Sequence, residues 1–553
     1  MTSISLTFER GERDEVLADI EPGTVLFDIP REAIICPTTS ELARLVPSII
    51  QGNQNDDDDD HEDDDNRNQD PWTSLILTMI YEFLRGDRSP WKAYFDVLPA
   101  VFDTPMFWTE DELAALQASP VVDRVGRAEA DNMIKSKVLP VIRKHSSIFF
   151  TGGSTPLTDN ELIDLAHRMG STIMAYSFSL ETDSDKDDEN ESDDGDDGDA
   201  GDEGDEDDES NNGESDSGKR DRNKNENDHI SNPDHNRDGD GDSEDGDGWV
   251  EDKDDQLPLG MVPMADMLNS DAEFNAHINH GVDTLTATAV RFIKAGEEIL
   301  NYYGPLSNGE LLRRYGYTTE KHSHFDAVDL PWGLVRDALA SQLGIESTEA
   351  IKISEKMDAD EIEDPIMLDR DFNEDEVTGR LSTPTTGRVL SELPSSLDRQ
   401  ARSFVKLALR EHLKKGTSNS STTTNQAPSF RNDHNNGLSY VENNSRSAKE
   451  IATAAIASAI MRRLETYPTT LENDIVQFKA LEREAPLSPS LSRLYAALRV
   501  RIGEKRLLQE ATALAELAAE AARTKKSVRR KKGARESGLE KEQPARKREK
   551  NAN

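Results

Sequence analysis

Three short segments hold residues whose types and spacing could do chemistry: Asp266-Met267-Leu268-Asn269-Ser270, Asn301-Tyr302-Tyr303-Gly304 and Arg314-Tyr315-Gly316-Tyr317. Tyrosine faces tolerate cationic charge while tyrosine hydroxyls orient polar hydrogens, so such residues could hold a polar or cationic group in place. Taken singly, each segment also reads as core or turn. Tyr303 then becomes a strand-end core residue, and Asp266 a carboxylate capping a turn. Their order along the chain, with Tyr303 34 positions after Asn269, favours a shared task.

Folded elements must bring these segments together. Val16 to Ile20, Thr24 to Ile29 and Ala33 to Cys36 are apolar runs punctuated by Pro22-Gly23 and Pro30, the pattern of a small antiparallel sheet. Asp70 and Pro71 read as the cap and first residue of a helix. Trp72, Leu75, Ile76, Met79, Ile80, Phe83 and Leu84 share one of its faces, and helical pattern continues to about Ser179. Thr284 to Val290 alternates as a half-buried strand does, and Glu297 to Tyr303 is expected as another. Ser307 and Glu310 have capping-box spacing, which places a helix right after Gly304. From His324 onward the pattern is mainly helical, interrupted by a Ser/Thr/Asn-rich stretch at 416–447. The last helix is marked by Leu491, Leu494, Leu498 and Ile502, with Ala511 to Ala522 as an extension.

A chain of 553 residues has room for two or three domains, although 35% hydrophobic and 6% aromatic content leaves much of it outside any core. The net charge of -46 is concentrated. Residues 181–256 hold 35 acids against 7 Lys/Arg, and residues 56–65 hold nine acids with no Lys or Arg, together about -37. Both stretches are nearly free of apolar side chains and are expected to be disordered. From Arg523 to Lys550 the sign reverses, with 13 basic and 4 acidic residues. That stretch reads as a nuclear-import address or a solvated basic tail. Cys36, the only cysteine, excludes an internal disulfide and a cysteine-cluster zinc site, and no metal is expected. The chain lacks a run of 18 apolar residues and an apolar signal core near Met1, so a soluble, unsecreted protein is expected.

The run Met261 to Asn269, then Ala295-Gly296-Glu297-Glu298, Tyr303-Gly304, and Ser307 to Tyr317 resembles the C-terminal half of a SET domain of the Rubisco large-subunit methyltransferase branch. Asp19 to Phe27 is similar to the first strands of that domain, and Ser171 to Phe178 to the helix before its cofactor motif. Arg463 to Glu472 and Ala497 to Lys505 are similar to the branch's helical substrate-binding domain. Within the branch the likeness is to fungal ribosomal lysine methyltransferases. The resemblance implies an α+β fold, a β-rich SET fold with a helical insertion followed by an all-α substrate-binding domain. It divides the chain into an N-terminal SET part (1–55), an acidic loop (56–70), the helical insertion (71–180), an acidic disordered insertion (181–256) and a C-terminal SET part (257–323). A helical substrate-binding domain (324–522) with a disordered loop at 416–447, and a basic disordered tail (523–553), follow.

The activity implied is transfer of a methyl group from S-adenosyl-L-methionine to a protein lysine, with a basic 60S ribosomal protein as substrate. A monomer is expected, in the nucleus and also in the cytoplasm, with no direct contact to nucleic acid or membrane. The amine must attack the methyl carbon in line, so positioning carries most of the catalysis. By resemblance Tyr303 is the catalytic tyrosine, and Tyr315 and Tyr317 line the lysine channel or pack on adenine. Asn269 contacts the amino-acid end of the cofactor, and Gly11, Tyr176, Asp266 and Ser270 border the same pocket.

Two positions depart from the family pattern. Ser270 stands where histidine is usual, and a backbone contact to adenine would survive that change. The family's Gly-x-Gly turn is replaced by Gly11-Glu12-Arg13-Asp14, which puts Arg13 where bare backbone should meet the cofactor. The family also has more chain ahead of this turn, so a missing upstream exon is one expectation and lost cofactor binding the other. The second makes the chain a SET-fold binding module for basic proteins. A third reading, an acidic chaperone acting through its charged runs, leaves the tyrosine segments unexplained.

Overall fold

The computed structural model describes residues 16–51, 70–151, 155–180, 258–357, 362–370, 373–374, 381–382, 390–418, 446–484 and 486–539. Its β part comprises β1 (Val25–Pro30), β2 (Ser177–Ser179), β3 (Leu259–Met261), β4 (Asn269–Ser270), β5 (Ala276–His280), β6 (Thr284–Ala289) and β7 (Leu300–Asn301). Strands β1, β6 and β5 form one antiparallel sheet in that order; β2 pairs antiparallel with β3, and β4 pairs parallel with β7. The alternation in β6 is realised as expected: Leu285, Ala287 and Ala289 are buried, with threonines between them on the other face.

Other expected strands are shorter. Around Ile20 and Ile35 only isolated pairings occur, to Ile293 and Met261. In place of a strand from Glu297 to Tyr303 only β7 forms, because the Asn275 side chain does part of a strand's work. Its amide donates to Glu298 O (2.8 Å) and its carbonyl accepts from Leu300 N (2.7 Å).

Helix α1 (Pro71–Arg85) starts where its cap predicts, the Asp70 carboxylate accepting from the backbone N–H groups of Trp72 and Thr73. Burial is wider than one face, however: every residue from Thr73 to Glu82 is buried. The buried Glu82 carboxylate is matched by the hydroxyls of Ser40 (2.7 Å) and Ser89 (2.8 Å) and by Arg85. Against α1 packs α2 (Asp159–Tyr176), closed at its start by a capping box between Thr158 and Glu161. It runs directly into β2, so Tyr176 sits at a helix-to-strand junction.

Helix α3 (Asn308–Tyr315) begins four residues after Gly304, with Ser307 Oγ accepting from Glu310 N (3.2 Å). Only half of the expected capping box forms. The Glu310 carboxylate turns instead to Arg313, Arg314 and Arg124, whose combined charge outweighs one backbone donor. Gly316 ends the helix at φ +80°, where a Cβ would stand 3.0 Å from the Asp103 carbonyl carbon.

The C-terminal part is built on α4 (Trp332–Leu343), α5 (Ser395–Ser418), α6 (Ala448–Glu465), α7 (Leu471–Glu482) and α8 (Pro489–Leu539). Two features correct the sequence expectation. The part is not all-α: β8 (Val328–Leu330), fully buried, pairs with β9 (Ile366–Leu368). The last helix also does not stop at residue 522 but continues to Leu539, consistent with the high helix propensity of its Ala, Arg and Lys residues. Helix α5 likewise reaches Ser418. Residues 52–69 and 181–257, which include most of the expected acidic disorder, lie outside the described residues.

Buried polar groups tie the C-terminal part to the insertion. Arg463 donates to Asp329 O (2.8 Å) and Ala118 O (2.9 Å). Glu504 accepts from Ser119 (2.7 Å) and Tyr467 (2.9 Å), while Arg501 and fully buried Lys505, both paired with Asp474, also donate across to Ala115 O (2.5 Å) and Gln117 Oε1 (3.4 Å). A buried ion pair stabilises little in itself, but losing one partner is costly. These groups therefore select one docking geometry.

Candidate active site

The parallel pairing of Asn269 with Leu300 and Ser270 with Asn301 brings the first two segments side by side. Half-buried Tyr303 follows, and its hydroxyl donates to Leu268 O (2.7 Å). Its ring stacks on Tyr315, centroids 4.9 Å apart and 21° from parallel, and Tyr317 lies tilted beyond at 6.1 Å from Tyr315. Burial pushes the Tyr303 phenol well above its ordinary value, with Tyr315, Tyr317, Tyr176 and Asp266 adding to the shift. Five of the expected site residues thus share one environment: Tyr176, Asp266, Tyr303, Tyr315 and Tyr317.

Asp266 is not a cap. It lies within a 3-10 turn, Ala265–Met267, only 3% exposed, and its Oδ2 accepts from the hydroxyl of Tyr94. Tyr94, from the short helix Lys92–Val97, was absent from the expected site. Its partner is 172 positions away, so no local pattern could reveal it. Burial pushes the Asp266 carboxyl up to about 8, from an ordinary 3.8. Between those values the folded chain holds a proton that the unfolded chain releases. The group's contribution to stability is therefore present at low pH and lost as pH rises towards 8, at most about 1.4 kcal/mol per unit. Asp266→Asn should lose this slope, so its melting temperature should gain on that of the wild type between pH 5 and pH 8. Parallel curves would show that Asp266 does not titrate there.

Asn269 and Ser270 occupy the outer edge of β4. The exposed Asn269 amide donates to Glu298 Oε1 (2.6 Å), so Glu298, the last residue of Ala295-Gly296-Glu297-Glu298, joins the edge. Gly11 and Arg13 lie outside the described residues. Among the described residues no group of three or more His, Cys, Asp or Glu side chains is placed to hold a metal, and no helix is long and apolar enough to cross a membrane.

The strands and helices around these tyrosines have the SET arrangement, and residues 340–508 match the family described as Rubisco LSMT substrate-binding. The solved SET domain of LSMT bound to lysine and AdoHcy superposes with a TM-score of 0.50 at 18% identity, covering 94% of this chain and 88% of that one. Among curated proteins, Ribosomal lysine N-methyltransferase 4 of Saccharomyces cerevisiae is 28% identical over 311 residues, 56% of this chain and 49% of that protein. N-lysine methyltransferase setd6 of Xenopus laevis is 26% identical over 307 residues, 54% of this chain and 49% of that protein. The chain spans about half the length of these two relatives.

Proposed function

We propose that this chain transfers a methyl group from S-adenosyl-L-methionine to a lysine of another protein. The observation that carries the reading is Tyr303: a neutral phenol whose proton is committed to the Leu268 carbonyl, flanked by Tyr315, Tyr317 and Tyr176. With its proton donated inward, the Tyr303 oxygen is left as an acceptor that orients an amine N–H. The ring faces of Tyr315 and Tyr317 accommodate the cationic form on its way in. Burial among these rings disfavours the charged amine and so promotes loss of its proton before attack.

S-adenosyl-L-methionine supplies, when bound, a methyl carbon on positively charged sulfur. The residues present fit it: the Asn269 amide and the Glu298 carboxylate form a polar edge suited to an amino-acid end, beside the backbone of Ser270. Names of the relatives support lysine as the acceptor, and the yeast protein's name supports a ribosomal protein as substrate. The basic stretch Arg523–Lys550 supports a nuclear location.

The test is methyl transfer to ribosomal proteins from cells that lack the gene, read by mass spectrometry. Methylation of a lysine on a 60S protein is the expected result. Absence of any methyl-lysine product, with no binding of S-adenosyl-L-methionine to the purified chain, would overturn the reading.

A further inference from the structure

Beside the tyrosines, a lysine of this chain is seated on a carboxylate that the chemistry above does not use. Asp271 follows β4 directly, and its N–H donates to Asn301 O (3.3 Å), which places it across from the strand that leads into Tyr303. Its charge is felt by the Tyr317 phenol. The carboxylate is held in place, Oδ1 accepting from Glu273 N (2.8 Å). Both oxygens also accept from Lys321 Nζ, at 2.8 Å each, and the Glu273 carboxylate lies 3.8 Å from the same ammonium.

The two partners differ in freedom. Asp271 is 21% exposed, whereas Lys321 is 53% exposed and can withdraw into water. Its segment is also tied to the C-terminal part. Neighbouring Glu320 accepts from Arg499 of α8 (2.6 Å), and the Arg499 guanidinium lies over the rings of Phe478 and Tyr495. A change at the face of α7 and α8 therefore reaches Lys321 through one ion pair.

We propose that Asp271 receives the ammonium of the substrate lysine at the rim of the tyrosine channel, and that Lys321 is the internal cation the substrate displaces. This rests on the methyltransferase reading. The event is an exchange of one ammonium for another, with no proton transferred. A primary alkylammonium suits the site because two oxygens converge on one nitrogen, which a compact point charge with three donors satisfies. Lys321 keeps the carboxylate compensated while no substrate is present, and its own tether stops it from advancing as a substrate would.

The probe is n-butylammonium, titrated calorimetrically into the 553-residue chain, so that no turnover is needed. Lys321→Gln should tighten binding at least threefold, because the internal competitor is gone. Asp271→Asn should weaken it at least tenfold and remove most of its salt dependence, and the double variant should behave like Asp271→Asn. Both side chains are partly exposed, and equal melting temperatures would establish that the variants fold. Binding unchanged in both single variants, no binding by the wild type, or weaker binding by Lys321→Gln would each overturn the proposal. Methyl transfer is scored separately. Butylammonium binding as described with no methyl transfer would sink the methyltransferase reading and keep the cation site; methyl transfer with indifferent variants would do the reverse.

Discussion

Tyr303→Phe should lower kcat by about a hundredfold or more while S-adenosyl-L-methionine affinity changes little, as expected when a positioned polar group acts mainly in the transition state. The ring remains, so its stacking on Tyr315 survives and the channel keeps its shape. What disappears is the oxygen proposed to accept from the amine, together with its bond to Leu268 O. The Leu268 carbonyl is left without this donor, a stability loss of about 1 kcal/mol. Because burial keeps the phenol neutral, the wild-type pH profile should show no limb from Tyr303 ionisation near neutrality. Equal loss of cofactor affinity and turnover would place Tyr303 in binding, and unchanged turnover would remove it from the chemistry.

Gly503→Ala should destabilise the junction between the two parts of the molecule. Helix α8 passes so close to Asp326 that a Cβ at 503 would stand 2.0 Å from Oδ2 and 2.5 Å from Cγ. Asp326 cannot swing aside freely, since it is buried and its Oδ1 accepts from both the backbone N–H (3.2 Å) and the side-chain amide (3.1 Å) of Asn308. Overpacking of this kind costs about 1–3 kcal/mol, and loss of the buried hydrogen bonds to Asn308 about 1 kcal/mol more. A fall in melting temperature of roughly 5 °C or more is expected. Asn308 is the first residue of α3, which leads to Tyr315 and Tyr317, so turnover should fall as well. Asp326→Ala in the same chain should recover part of the stability if the clash is the cause. An unchanged melting temperature in the single variant would show that the helix lies farther from Asp326 than described.

The parts of the fold that sequence reasoning reached are those whose causes are local. Asp70, Pro71 and Ser307 act on backbone within three residues, and the Thr-x-Thr-x-Thr alternation of β6 reports its own sheet. Local signals failed where a distant group competed for the same residue. Glu310 had the spacing of a capping residue, yet Arg124, nearly two hundred positions earlier, helps draw its carboxylate away. In the site, the tyrosines of segments 301–304 and 315–317 were legible as neighbours because β7, a short loop and α3 join them directly. Tyr94 beneath Asp266, and Lys321 on Asp271, were not, since nothing in either stretch of sequence marks its partner. The two-residue β7 was misread as a longer strand because Asn275 supplies by side chain what a strand supplies by backbone.

The pairing of β2 with β3 bears on how this scaffold tolerates change in length. Ser179 faces Leu259, so the chain leaves the sheet and re-enters it at adjacent positions, whatever lies between. Closing a flexible loop between fixed neighbouring ends becomes less favourable only with the logarithm of its length, about 0.6 kcal/mol for each doubling. A flexible connection spliced between these two ends could be halved or doubled in length with little effect on the hairpin that anchors it. This junction is therefore a graft site: a foreign domain whose own ends lie close together could be spliced there, a short step from Tyr176, without asking the surrounding strands and helices to rearrange.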